Sequence, residues 1–519
     1  MRALKGLMIY IGIVLGIILG IGVLLFGVMY FVPSFRIAGV GVIHNSTVVK
    51  DSIVDLAEYP TPANYVLNVS SKNISININS KDEGTDISYS FGNSVFGIAY
   101  DMTEYKVIKS IENESGTLKI NVTLTEPNGL ISAKNASLNI FVPKNLRYSI
   151  MTSTNSGSIE IGTSKSDFEI NNLTINTTSG KFTLGTIGTT VDDGVSTTLN
   201  SLNLSTNKGL FDLKAINNLT VLNTIKLQAT NGTFMFDSVN ASFNVTGKGI
   251  KLDANTITTD SNGFKFISEN GYFDINKIVT PAGVENTIVT ENCDVKINEI
   301  TGRTGIVTTY GNINIGTLSS LAILQSEHGN VTISKALEDI KVTTKFGNIT
   351  VNSYLKSAKF VSVRGNINVK STGEYIQNAY TEIENTEGQV NVDNRINKLL
   401  LKTYGSSKCE ITFREIKGGL TNPLDVFQHK IDIHKNGSAL VLMPTVNYNT
   451  PFKFKAKGDI SGRFSGVSAG NIGGEIYSSD EYQYYPQDSE ASKEASKQSC
   501  YFEFYGTIRF EGYNNNWLI

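Results

Sequence analysis

Residues 310–370 read "YGNINIGTLSSLAILQSEHGNVTISKALEDIKVTTKFGNITVNSYLKSAKFVSVRGNINVK". The phrase Gly-Asn-apolar-polar-apolar recurs at Gly311, Gly329, Gly347 and Gly365, with a step of 18 residues each time. A period this strict marks one supersecondary unit used repeatedly. Each unit reads as strand, tight bend at x-Gly, strand and connection. In "NITV", Ile349 and Val351 fall on one side of the chain while Asn348 and Thr350 fall on the other. The arms of a hairpin meander carry no common length. Stacked coils do, because each must enclose the same cross-section for its strands to register with the next. The constant step therefore predicts a β-solenoid, in which no coil buries its apolar face alone. Glycine is expected to supply positive φ at the bend. Asn312, Asn330, Asn348 and Asn366 are expected to stack there as a ladder of side-chain amides.

Looser copies surround this core. Upstream lie "NSGSIEIG" at Gly157, "TSGKFTLG" at Gly180, "NKGLFDLK" at Gly209, "TNGTFMFD" at Gly232, "ENGYFDIN" at Gly271 and "ENCDVKIN" at Cys293. Downstream come "TEGQVNVD" at Gly388 and a degenerate copy at Gly405. Gly180 and Gly209 stand 29 residues apart, and the phase slips around Gly249 and Gly263. The repeats are assigned to residues 151–420. Before them, residues 63–150 alternate with period two, as at Leu138, Ile140 and Val142, and read as a β-rich lead-in. After them, residues 421–519 read as a β cap with a polar loop near 486–499. Residues 37–62, ending in "YPTPA", read as a tether. The expected fold class is all-β: a β-solenoid or β-helix-like repeat rod with lead-in and cap.

The N-terminus predicts location. Leu7 to Val32 contains no charged side chain. The run exceeds the ~20 residues that cross a bilayer core and the ~7–15 of a signal-peptide core. Residues 1–36 are thus expected to hold a cytoplasmic N-terminus and one uncleaved transmembrane anchor over 7–32. Arg2 and Lys5 precede the run and Arg36 follows it, so the positive-inside rule places the body outside the cell. Gly12, Gly16 and Gly20 form two overlapping Gly-x-x-x-Gly steps, a pattern that predicts helix pairing and a homodimer through the membrane.

Reactive chemistry is sparse. The 519 residues carry a net charge of -2 with 18% charged side chains, and no basic stripe suits a nucleic acid. Cys293, Cys409 and Cys500 are too scattered for a disulfide framework or a zinc site, although a Cys409–Cys500 bridge stays open. His44 and His328 stand apart, and His429 and His434, five residues apart, point to opposite faces of a strand. Asp192-Asp193 and "SEASKE" read as solvated loops, with no fixed carboxylate pair of the glycosidase kind. No calcium-repeat, phosphate-loop or dinucleotide signature stands out. Neither a cofactor nor an enzyme activity is expected.

The stretch "LNIFVPKNLRYSIMTSTNSGSIEIG", followed by (T/S)-x-x-G-x-(I/V)-x-(I/V) units, resembles an adhesin-domain family of bacterial surface proteins. In that family a Val-Pro motif closes a β lead-in and Gly-turn repeats follow, often behind a membrane span. Val142, Pro143 and Gly157 match, and the resemblance covers roughly residues 65–415. It implies a surface β-solenoid and supplies no catalytic residue. The combined expectation is a single-pass cell-membrane protein whose extracellular body has a structural or adhesin-like binding role. Glycans or proteins would meet its Asn/Thr-rich faces. Two other readings are a carbohydrate-active enzyme on a solenoid scaffold and a cell-envelope sensor or assembly factor.

Overall fold

A computed structural model describes residues 2–513 apart from 186–195, 373–378, 395–397, 414–427, 445–451, 458–459, 464–480 and 485–499, and shorter breaks at 33–34, 38–39, 60–61, 82, 102–103, 145, 164–167 and 217. The chain is a β-solenoid with 66% of its residues in strands and one apolar N-terminal helix. The helix spans Arg2–Phe31. Within it Tyr10–Phe31 has a mean hydropathy of 2.8 and none of it is buried. At 1.5 Å per residue this segment is about 33 Å long, enough to cross a bilayer. Two compact units follow from the contacts, Met1–Val239 and Asn240–Ile519.

The second unit contains the regular coils. Phe243–Thr258, Phe264–Val279 and Glu285–Ile300 stack in parallel. Coils of two strands follow, such as Ala322–Ser326 with Val331–Ala336, then Ile340–Thr344 with Ile349–Tyr354. From Glu285 to Val351, register carries each paired residue onto the one 18 positions later. Val295, Ile313, Val331, Ile349 and Ile367 form one inward column. Ile288, Ile306, Leu324, Val342 and Phe360 form a second on the opposite wall. All ten are fully buried, each worth roughly 1.5–3 kcal/mol of transfer free energy. A one-residue slip would turn these columns outward, which pins the register. The phase slip in the sequence resolves here as well. Ile250 pairs with Gly271 and Gly271 with Cys293, so Ile250 holds the corner position, while Gly263 lies in a separate turn at φ 70°.

In the first unit, stacking order departs from chain order. Asn64–Ser70 and Ser75–Ser80 already form a coil, lying under Arg147–Thr154 and Ile159–Ile161. On its other side lie Thr117–Thr125 and the end of Gly129–Val142, also parallel. The excursion through residues 81–142 therefore turns back to cover the start of the stack. Glu126, buried there, accepts the backbone N–H groups of Lys72 at 2.6 Å and Asn73 at 2.9 Å. Antiparallel strands flank this end: Gly41–Asp55 pairs with Asp86–Ala99, and Lys106–Glu114 with Thr117–Thr125. Residues 41–55, expected within the tether, are thus a 15-residue strand. Their apolar pattern is weak because Val48 and Val49 are exposed, and the partner strand lies more than 30 residues downstream. The 29-residue step from Gly180 to Gly209 includes a third strand, Ser196–Leu199, paired with Asn218–Val221.

Coils continue past residue 420. Gln428–Asp432 and Ser438–Pro444 stack on Cys500–Tyr505 and Ile508–Tyr513. Those in turn stack on Phe452–Lys457 and Ile460–Arg463, so a late segment lies between two earlier ones. The polar loop expected near 486–499 and Asp192-Asp193 lie outside the described residues.

Candidate functional site: the Gly-Asn corner and an adjacent polar groove

The four glycines stack at one corner, for a different reason from the one their sequence suggests. None has a positive φ. A Cβ on Gly329 would lie 1.9 Å from the carbonyl oxygen of Gly311, and one on Gly347 would lie 1.9 Å from that of Gly329. For Gly365 and Gly311 the corresponding distances are 2.1 Å to Gly347 and 2.0 Å to Cys293. Close approach of successive backbones excludes any side chain. Elsewhere along the corner, Gly271 and Gly388 do add a positive φ, of 136° and 130°.

The asparagines beside them form a ladder with a mixed bonding pattern. Each side-chain Oδ1 accepts the backbone N–H of the next coil: Asn312 from Asn330 at 3.0 Å, Asn330 from Asn348 at 2.9 Å and Asn348 from Asn366 at 2.8 Å. Asp294 begins the series by accepting from the Asn312 N–H at 2.7 Å, and Asn366 ends it by accepting from Gln389 at 2.8 Å. The side-chain-to-side-chain amide stack expected from the sequence is thus replaced by side-chain-to-backbone rungs. A buried hydroxyl three residues before each glycine completes the corner. Gly311 N–H donates to Thr308 at 3.0 Å, Gly329 N–H to Ser326 at 2.8 Å, and the Thr344 hydroxyl donates to the Gly347 carbonyl at 2.7 Å. The same Thr-x-x-Gly bond recurs at Thr177–Gly180 and Thr206–Gly209. These residues spend their polar groups on holding the coil.

The residues just before three of the glycines form an exposed column. Tyr310, His328 and Phe346 stack with centroids 4.8 and 4.7 Å apart. Their inner faces cover one another, so mostly ring edges meet water. Lys345 approaches the Phe346 ring at 5.3 Å and pairs with Glu327 at 2.8 Å.

A shallow groove of about 380 Å³ lies on the wall after the corner. On this wall the Asn276 amide donates to Asn255 at 3.0 Å and the Asn298 amide to Asn276 at 3.1 Å. The ladder stops at Gly316, whose Cβ would lie 2.3 Å from the Asn298 carbonyl oxygen. The groove beside it forms a notch bordered by Asn298, Asn314, Thr332 and Ser334. At its edge Asp274 accepts from the Tyr272 hydroxyl at 2.6 Å and from Lys296 at 2.9 Å. Partial burial raises the Asp274 pKa, but the Tyr272 hydroxyl and the Lys296 ammonium outweigh it and hold it below the usual range. The hydrogen bond to Asp274 raises the Lys296 pKa. Both groups are therefore ionised at neutral pH and offset each other's charge.

The remaining candidates are structural. His429 is buried; its Nδ1 accepts the Leu399 N–H at 3.1 Å, and Phe413 packs edge-on at 4.9 Å. Burial, aided by nearby Lys398, lowers its pKa to about 3, so the imidazole is neutral. His434 Nδ1 accepts from the Asn436 N–H. Cys293 and Cys409 are free, buried thiols, pushed up to about 12 by burial. Lys359 bridges Glu382 at 2.9 Å and Glu384 at 2.8 Å on the outer sheet face. Its hydrogen bond to Glu384 lowers that carboxyl's pKa, the opposite of what a general acid needs. Among the described residues no three His, Cys, Asp or Glu side chains are placed to hold a metal. Gly12, Gly16 and Gly20 have nothing packed on them.

No family model matches the chain, and no curated protein matches it. Among solved structures, a "putative cell adhesion protein" from Clostridium sporogenes aligns over 90% of this chain and 100% of its own. Its sequence identity is 10% and its TM-score 0.16, values at which neither site nor role carries over.

Proposed function

We propose that the chain is a membrane-anchored surface protein whose coils project outside the cell in a structural or adhesin-like binding role, without catalysis. The observation that carries this reading is the Tyr10–Phe31 helix, none of it buried in the folded chain, at a mean hydropathy of 2.8. An unburied apolar segment of that length is stable in lipid rather than in water. Arg2 and Lys5 before it, against Arg36 after it, favour a cytoplasmic N-terminus. Support for a non-catalytic role comes from the polar groups of the coils, which are largely engaged in corner bonds, ladders and ion pairs. Gly12, Gly16 and Gly20 leave an open helix face that suits pairing in the bilayer.

Protease treatment of intact cells tests the placement. Digestion should remove an epitope placed in the coils while sparing one at the N-terminus. Survival of the coil epitope until lysis would reverse the orientation.

A further inference from the structure

We infer that the notch beside Gly316 is a binding subsite for a neutral, hydroxyl-rich chain, namely an uncharged polysaccharide lying along the stacking direction of the coils. The inference rests on the proposed binding role and assigns it a place and a ligand class.

Three observations converge. The first is unspent hydrogen-bonding capacity. Asn298 donates its amide to Asn276, but among the described residues no donor reaches its Oδ1, because the next coil offers Gly316 where an asparagine would continue the ladder. Asn314, Thr332 and Ser334 likewise make no side-chain hydrogen bond among the described residues. This contrasts with the corner a few residues away, where every asparagine from Asn312 to Asn366 accepts a bond. One open acceptor, one amide and two hydroxyls therefore face the same notch, a mixture that matches sugar hydroxyls, which both donate and accept.

Second, the charge is balanced. Lys296 and Asp274 stand 2.9 Å apart at the edge. An anionic chain would meet the Asp274 carboxylate and a cationic one the Lys296 ammonium, whereas a neutral chain loses nothing to either. Ile297 and Ile315 turn inward and are buried, so the side chains that point outward along the notch are polar.

Third, the shape is directional. Asn298, Gly316 and Ser334 lie on three successive coils, and so do Lys296, Asn314 and Thr332. The polar groups thus repeat at the strand spacing of about 4.8 Å, a distance comparable with one sugar ring. Tyr272, exposed and tied to Asp274, presents an aromatic ring at one end of this line. Such a ring is a suitable platform for the apolar face of a sugar.

The test uses the full chain in detergent micelles or nanodiscs, titrated calorimetrically with cellohexaose, mannohexaose and chitohexaose, and with polygalacturonate as the anionic comparison. At least one neutral hexaose should bind, and polygalacturonate should bind more weakly. The double variant Asn298→Ala/Asn314→Ala should weaken binding about tenfold or more, since two hydrogen-bonding side chains are lost. Asn368→Ala, in the same outward column two coils beyond Thr332, should bind as the parent does. Equal binding by the double variant at unchanged melting temperature would overturn the inference. So would preference for polygalacturonate, or binding of none of the neutral hexaoses. Protease accessibility of the coils on cells is read separately. Loss of surface exposure would sink the surface reading while leaving the titration result standing, and the converse also holds.

Discussion

The corners of the two units use the same glycine and differ in everything placed beside it. In the second unit Gly311, Gly329, Gly347 and Gly365 are each followed by asparagine and recur every 18 residues. In the first, Gly157, Gly180 and Gly209 are followed by Ser158, Lys181 and Leu210, at steps of 23 and 29. Yet a Cβ on Gly180 would lie 2.1 Å from the Gly157 carbonyl oxygen, much as one on Gly347 would meet Gly329. Both corners also place Thr or Ser three residues earlier, bonded to the glycine backbone. The backbone contact and its hydroxyl are therefore the common requirement. The asparagine rungs are an addition confined to the more regular coils, and extra length elsewhere is absorbed away from the corner.

The largest expected effect tests what is common. Gly347→Ala and Gly180→Ala should each destabilise by about 3 kcal/mol or more, because the obstructing atom is backbone and cannot swing aside. Gly209→Ala, whose nearest obstacle is the Thr206 hydroxyl at 2.5 Å with the Gly180 carbonyl oxygen at 2.7 Å, should cost less. Thermal melting of the three variants decides it, and a tolerated Gly347→Ala would refute the close-approach account.

A second prediction separates the units by pH. His429 has a folded pKa of about 3 against an ordinary 6.5, so the unfolded chain binds its proton first. The stability it contributes is complete above about pH 6.5 and is lost progressively as pH falls toward about 3. Hydrogen exchange should show the coils around residues 398–432 loosening in acid before the first unit does. His429→Gln should flatten that dependence; an unchanged profile would assign acid sensitivity to other groups.

Smaller effects follow at the corner. Ser326→Ala and Thr177→Val should each cost about 1–2 kcal/mol in their own units, since each leaves a buried glycine N–H without its acceptor. Unequal costs would mean that the hydroxyl has different work in the two corners. Asn348→Ala should cost only about 0.5–1.5 kcal/mol because the freed Asn366 N–H can reach water. Lys181→Ala, at the equivalent position of the first unit, should change the melting temperature little. If Asn348→Ala were equally silent, the rungs would be ornamental.

The solenoid was legible from Gly311 to Gly365 because apolar alternation and a constant step both record stacking directly. The Thr/Ser-x-x-Gly pattern was visible too, though its meaning as a hydroxyl-to-backbone bond was not. The glycines were misread: a φ requirement and a collision with the coil below select the same residue, and only neighbouring backbone tells them apart. The strand over Gly41–Asp55 was missed because its partner, Asp86–Ala99, is distant and much of its surface is open. The groove could not be seen at all. It depends on Asn298 lying under Gly316 across a coil boundary where the repeat shortens from 22 residues to 18.

The sequence by itself determined that coils form, which residues line them and that an apolar segment precedes them, because each of these is a matter of local period and composition. Tertiary structure decided the order in which coils stack. Residues 117–142 lie beneath 64–80, and residues 500–513 lie between 428–444 and 452–463. The open edge of any coil presents similar backbone groups and an apolar rim, so local pattern does not name its partner. That choice is made by the whole set of side chains that must fit together once the chain has turned back.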